Sequence, residues 1–266
     1  MRITVITPSR NQGVYIDHCL RSIHEQTHRE IEHIVLDGMS TDETAEVVAK
    51  YPCTFVQRKD SGPAQAINRG LEMATGDIVC WLNADDAFAS RQVLERIVQL
   101  FSELPEVDVI TGNGYYIGEN GRYLNPIVNA RPDRCRLKWI RKHDFILQPA
   151  TFWRRNQLRL DESLSYCFDW KLWLEFFEAQ LNVLYVPEYF AFYRVQSGSL
   201  TFQDSASRMR EIYEFVAGNS RSRVQAAWCW AQWKMYQASE GLSFPKLKRM
   251  VRFASKLIGK MSDDYI

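Results

Sequence analysis

Two adjacent carboxylates, Asp85 and Asp86, follow an apolar run, Ile78 to Leu82, in the stretch GDIVCWLNADDAF. Neighbouring acids repel each other, so the pair costs free energy unless a cation or hydrogen-bond donors take up its charge. A hard divalent ion, Mg²⁺ or Mn²⁺, suits such oxygens and takes phosphate oxygens at the same time. Beside a diphosphate it would also stabilise the negative charge that grows on a departing phosphate oxygen. A second reading stands beside this one, in which Asp85 and Asp86 form a turn and cap the helix after Ser90. Asp37 ends another apolar run ahead of Gly38, Ser40, Thr41 and Asp42. There Ser40 or Thr41 can cap the next helix, which leaves Asp37 over the rim to accept hydrogen bonds from a base or ribose.

These acids need a scaffold that gathers strand ends, and the first hundred residues carry its pattern. Residues 3–7, 32–37, 53–57 and 77–82 read as buried strands, and 14–26, 42–50 and 62–74 place apolar residues at helical spacing. Repeated βα units predict a mostly parallel sheet with helices on both faces, and ligands bind beyond the carboxyl ends of such strands. TPSRNQG (7–13), DGMSTDET (37–44) and NADD (83–86) then share one rim. Farther on, 91–101 reads as a helix, 107–113 as a strand and 118–121 as a hairpin tip. Residues 147–155 read as strand-like, 168–180 as an amphipathic helix, and 182–195 as short strands broken at Pro187. From about Ser205 the pattern is helical, with Trp228, Trp230 and Trp233 close together.

The 266 residues, 46% hydrophobic and 24% charged, are ample for a buried core and exclude a disordered chain. With 33 basic and 32 acidic residues the formal net charge is +1, so the composition indicates no nucleic-acid partner. The 6 cysteines are scattered, with no CxxC or zinc spacing, as in a reduced, cytosolic chain. No apolar stretch approaches the ~20 residues needed to span a bilayer. Neither GxGxxG nor GxxxxGK[ST] occurs, so a bound diphosphate has no glycine loop and needs its charge neutralised by another means.

Four blocks, ITPSRNQGVYIDHCLRSIHEQT, IEHIVLDGMSTDETAEVV, SGPAQAINRGLEMATGDIVCWLNADD and FDWKLWLEF, together resemble the family 2 glycosyltransferases of GT-A fold. The resemblance implies an inverting enzyme that uses a nucleotide-sugar donor, here UDP-linked, and a glycan or lipid-linked acceptor, in surface polysaccharide assembly. It places Pro8 and Arg10 near the nucleotide base and Asp37 on the base. Asn68 and Arg69 match the segment near the nucleotide, although Asn68 equally suits helix packing. Asp85 is similar to the ribose or sugar contact and Asp86 to the metal ligand of the DxD motif, whose first acid is here Asn83. Gln148 falls where the family presents polar contacts to a sugar, and a structural turn fits it as well.

The resemblance also makes Asp169 the general base, at the start of a helix where Phe168 replaces the family's Glu. Apolar neighbours Phe168, Trp170 and Trp173 would raise its pKa toward a useful value, and a helix N-cap is the alternative. In FYRVQSGSLT, Gln196 stands in place of the family's His, which leaves Arg194, Ser197 and Ser199 as phosphate partners. Trp139, Trp153, Trp170 and Trp173 could line a sugar platform, or, more commonly for such residues, form core. The implied organisation is a GT-A domain over 1–204, with a nucleotide-sugar half (1–113) and an acceptor half (114–204), and a helical extension over 205–266. Residues 244–261 form a basic amphipathic helix that either lies on an anionic membrane, making the cytoplasmic protein peripheral, or packs on the domain. Two other functions are weighed: a sugar nucleotidyltransferase, which wants a richer phosphate loop than TPSRNQG, and a non-catalytic nucleotide-sugar-binding module.

Overall fold

The computed structural model describes residues 1–128, 137–141, 143–196 and 205–219, together with Ala227, Ala231 and Lys234. The chain divides into two compact units, Met1–Ser199 and Leu200–Ile266. In the first unit the expected alternation forms β1 (Ile3–Ser9), α1 (Gly13–His24), β2 (Ile31–Asp37), α2 (Thr44–Val48), β3 (Thr54–Gln57), α3 (Pro63–Met73) and β4 (Ile78–Trp81). These four strands pair in parallel in the order β3-β2-β1-β4. Their interiors are apolar because helices cover both faces; β4 is buried at every position. At Gly70 α3 lies so close to β1 that a Cβ would stand 2.5 Å from Ile6 Cγ2, which only glycine tolerates. In register, Ser9 faces Asp37, so β1 and β2 end level, while Trp81 faces Ile6, so β4 ends three residues short of them on the same rim.

Beyond β4 the sheet departs from the mostly parallel form. β8 (Thr151–Arg154) leaves a 3₁₀ turn, Gln148–Ala150, and runs antiparallel to both β4 and β6 (Val109–Ile117). β9 (Val183–Arg194) is parallel to β6, while β5 (Ala87–Phe88) and β7 (Tyr123–Ile127) are antiparallel to their neighbours. The sheet is therefore mixed, with its parallel half at the β3-β2-β1-β4 end. β9 also runs unbroken through Pro187. Its register to β6 shifts there, from Thr111 facing Tyr185 to Asn113 facing Tyr189, so the residue without an N–H falls in an irregularity where no ladder bond is required.

Helices α4 (Val93–Glu103), α5 (Leu137–Ile140) and α6 (Phe168–Glu178) complete the first unit, and α7 (Ser205–Asn219) belongs to the second. No helix among the described residues is long and apolar enough to cross a membrane. The expected basic helix over 244–261, the Trp228, Trp230 and Trp233 group, Ser197 and Ser199 lie outside the described residues.

A polar seam runs through the parallel half. His33 on β2 is buried, its Nε2 3.0 Å from Thr7 Oγ1 and its Nδ1 3.2 Å from Nε2 of His24. Desolvation, helped by the charge of His24, pushes its imidazole from 6.5 down to about 3. Between those values the unfolded chain binds a proton that the folded chain refuses, so stability from this site is full above 6.5 and is lost as pH falls toward 3. The loss approaches ~1.4 kcal/mol per pH unit. Denaturant titrations between about pH 7 and pH 5 should show a shallower fall in His33→Gln than in the parent chain. Equal slopes would contradict the buried neutral imidazole.

Candidate active site

β4 ends at Trp81, and the chain turns at once: Leu82 N–H donates to the Ile6 carbonyl at 2.9 Å and Asp86 N–H to the Asn83 carbonyl at 3.0 Å. β5 then joins β9, which pulls the turn back over the sheet edge. The two acids thus lie on a tight turn, but they do not cap the following helix. α4 begins at Val93 behind Gln92, with no side-chain cap.

Asp86 is 2% exposed, and Asp85 is half-buried beside it. Asp86 Oδ1 accepts the Arg194 N–H at 2.9 Å and Oδ2 the Asn83 amide at 3.2 Å; Asp85 Oδ2 accepts the Gln196 amide at 2.9 Å. Desolvation raises the Asp85 carboxyl, and desolvation together with the charge of Asp85 holds Asp86 well above the usual carboxylate range. Among the described residues no ion pair reaches either acid. Asn83 spends its amide inside the turn and on Gln148 Oε1, 3.0 Å away, while Gln148 Nε2 donates to the Trp81 carbonyl at 2.7 Å. Gln148 is thus engaged in holding the turn on β4, with both ends of its amide occupied.

Arg194 corrects an expectation. It is 4% exposed, and its guanidinium faces protein: Nε donates to the Asp85 carbonyl (2.8 Å), Nη1 to the Gly118 and Glu119 carbonyls (2.9 and 3.0 Å), and Nη2 lies 2.8 Å from His18 Nδ1. With four of its five N–H groups used, it is not presented to a phosphate.

Across the rim, Asp37 is fully buried rather than projecting. It accepts from Ser40 N–H (2.8 Å), Ser40 Oγ (2.5 Å) and Gln57 Nε2 (3.1 Å), so its carboxylate shapes the loop after β2. Pro8 is half-buried, and Arg10 is exposed with its aliphatic stem over Gly38. Ser9 Oγ and Gln12 Oε1 in the same loop are buried without a hydrogen-bond partner. Asn68 takes the packing role of its two readings: its side chain exchanges hydrogen bonds with Leu160 N–H and carbonyl, each at 2.9 Å, and donates to Glu162 at 2.9 Å. It ties α3 to the 158–162 loop. Arg69 lies half-buried in an ion pair with Asp60, which sequence reasoning had not singled out.

Asp169 sits in the first turn of α6, behind Cys167 at the N-cap, so it is not itself the cap; its Oδ1 accepts the Trp170 N–H at 2.7 Å. The helix is fastened to the preceding segment by Trp170 Nε1–H donating to the Ile140 carbonyl at 2.5 Å and by the Arg141–Glu178 ion pair at 2.7 Å. This brings up a second acid, Asp144, whose carboxyl is pushed well above the usual range by desolvation and by the charge of Asp169. Asp144 retains an exposed surface within dense surroundings. It lies in the weakly patterned stretch before β8 and carried no sequence signal. The tryptophans resolve mainly as core. Trp81 stacks on Trp173 (5.5 Å, 6°) and meets Trp153 edge-on (5.7 Å, 81°), and Trp153, Trp170 and Trp173 are buried. Trp139 is half-buried near His143.

The oxygen donors of Asp85 and Asp86, desolvated and in no ion pair among the described residues, fit a hard divalent ion. Among the described residues no group of three or more His, Cys, Asp or Glu side chains could hold one. One or two carboxylates with substrate phosphates and water is nevertheless a sufficient set for Mg²⁺.

An acid turn after β4 and a carboxylate at the start of α6 lie on a βα scaffold, and the chain belongs to glycosyl transferase family 2, whose model matches residues 4–166. It is a glycosyltransferase. It is 25% identical over 233 residues to an uncharacterised glycosyltransferase of Rickettsia prowazekii, covering 80% of this chain and 69% of that one. It is 30% identical over 126 residues to a PGL/p-HBAD biosynthesis glycosyltransferase of Mycobacterium tuberculosis, covering 45% of this chain and 49% of that one, so it spans about half of that relative. The fold is GT-A: residues 1–349 of S. aureus TarS in complex with UDP-GlcNAc superpose with a TM-score of 0.67 at 19% identity, over 88% of this chain and 71% of that one. The mannosyltransferase PcManGT of Pyrobaculum calidifontis, in complex with GDP-Man and Mn²⁺, superposes with a TM-score of 0.65 at 17% identity, over 99% and 87%.

Proposed function

We propose that the protein is an inverting glycosyltransferase that moves a sugar from a UDP-linked donor to a hydroxyl of a glycan or lipid-linked acceptor, with Asp86 on a divalent cation and Asp169 as general base. The observation that carries this reading is the Asp85–Asp86 turn: two desolvated carboxylates at the end of β4 that, among the described residues, close no ion pair. The UDP complexes of TarS support the choice of nucleotide, and the Mn²⁺ complex of PcManGT the choice of cation.

In this reading Asp86 holds the cation and Asp85 turns toward the ribose or sugar. The cation, when bound, offsets charge on the diphosphate as it leaves. Pro8 and Arg10 line the rim toward the base, with Asp37 fixing the loop beside them. Asp169 takes the proton of the acceptor hydroxyl as its oxygen bonds to the anomeric carbon and the bond from that carbon to the diphosphate oxygen breaks. One displacement through an oxocarbenium-like state inverts the anomeric centre. Residues 1–113 would serve the donor, 114–204 the acceptor, and 244–261 a peripheral membrane contact for lipid-linked acceptors. Calorimetry with UDP tests the reading: affinity should rise at least ~10-fold when Mn²⁺ replaces EDTA. UDP binding indifferent to the cation would overturn it.

A further inference from the structure

We propose that Gln196 and Arg194, both buried and bonded to the acid turn, are positioning residues that hold Asp85 and Asp86 in the geometry a divalent cation requires. The inference rests on the cation reading above and adds to it two residues that act through the acids.

Among the described residues, the hydrogen bonds to the two acids from other elements come from the end of strand β9 and the two residues after it. Arg194 grips both: its backbone N–H holds Asp86 Oδ1 at 2.9 Å and its Nε holds the Asp85 carbonyl at 2.8 Å. Two residues on, Gln196 holds Asp85 Oδ2 at 2.9 Å. Gln196 is 6% exposed and Arg194 is 4% exposed, so water does not compete for these bonds. Arg194 is itself held on three further sides, by the Gly118 and Glu119 carbonyls at the β6–β7 hairpin, by His18 Nδ1, and by the Tyr15 ring 5.1 Å from its Cζ. A guanidinium spread over carbonyls brings its charge near the acids without closing an ion pair that would take the place of a cation. A Lys, with its donors on one nitrogen, cannot span the same set.

Gln196 matters chemically because its amide donates to one oxygen of Asp85 and leaves the other oriented. Asp85 is the neighbour of the cation's ligand Asp86 and not itself that ligand, so Gln196 acts on the ligand's surroundings, and loss of such an outer partner costs ~10-fold or more in metal affinity. A purely structural part in the fold would instead change stability.

The test measures Mn²⁺ binding by electron paramagnetic resonance of the free ion, in the presence of UDP, alongside thermal unfolding. Gln196→Met, which keeps volume and removes the donor, should bind Mn²⁺ ~10-fold more weakly with its Tm within a few degrees of the parent. Gln196→His, which restores an N–H, should recover most of that loss. Arg194→Lys should weaken binding as well; if it does not fold, Gln196→Met alone decides. Parent binding that Gln196→Met leaves unchanged overturns this proposal alone. Absence of Mn²⁺ binding in the parent overturns the cation reading and this proposal with it.

Discussion

Asp86→Asn is expected to lower sugar transfer by ~10³-fold while leaving the protein at least as well folded. The rate term follows from the cation: several kcal/mol of charge stabilisation on the leaving diphosphate is lost, at tenfold per ~1.4 kcal/mol. The stability term follows from burial. Asp86 is desolvated beside Asp85, and its carboxyl is held well above the normal range, so the folded chain gains when that charge is removed. The Asn carbonyl can keep the Arg194 N–H, and only the bond from Asn83 is lost, at ~1 kcal/mol. Steady-state rates and a melting curve on the same preparation check both halves. A Tm lower by ~5 °C or more would mean that the acid pair is part of what holds the fold, because 1 kcal/mol moves a protein of this size by only ~2–4 °C.

Asp169→Asn should reduce kcat by ~10²- to 10⁴-fold, the range of a positioned base, with UDP affinity nearly intact. The separation arises because Asp169 lies on α6 and not among the loops that end β1, β2 and β4. The isosteric amide can still accept the Trp170 N–H through its oxygen, so the helix start is preserved. A variant with kcat within ~3-fold of the parent would remove Asp169 from the chemistry and turn attention to Asp144, the neighbouring acid whose carboxyl is pushed upward by desolvation and the charge of Asp169.

What could be read from the sequence was what local periodicity encodes. The βα alternation through Trp81 follows from β-branched runs separated by helical spacing, and the register of β1 with β2 and β4 makes the three rim loops neighbours as expected. In five places a distant partner outweighed the local pattern or decided between two readings of it. Pro187 does not break β9, because an irregularity in the pairing to β6 absorbs it. Asn68 meets Leu160, 92 positions on; Arg194 meets Asp85 across 109; and Gln148 meets Trp81 across 67. Such pairings leave no periodic trace, so a buried Arg bound to carbonyls and an exposed Arg awaiting a phosphate look alike in one sequence. Asp37 is the fifth case: its position at the end of β2 was legible, but its burial depends on Ser40 and Gln57 closing over it.

The same contrast separates the two acid pairs. Asp85 and Asp86 are adjacent in sequence and announced themselves. Asp144 and Asp169 interact only because Trp170 and Arg141 fasten α6 to the segment after α5.

The measurement that bears most directly on the central claim is release of UDP from a panel of UDP-sugars by metal-stripped protein, before and after addition of Mn²⁺. The account predicts release that appears with Mn²⁺, disappears again with EDTA, and is absent in Asp86→Asn at any Mn²⁺ concentration. Undiminished release by the stripped protein, or by Asp86→Asn, would contradict it.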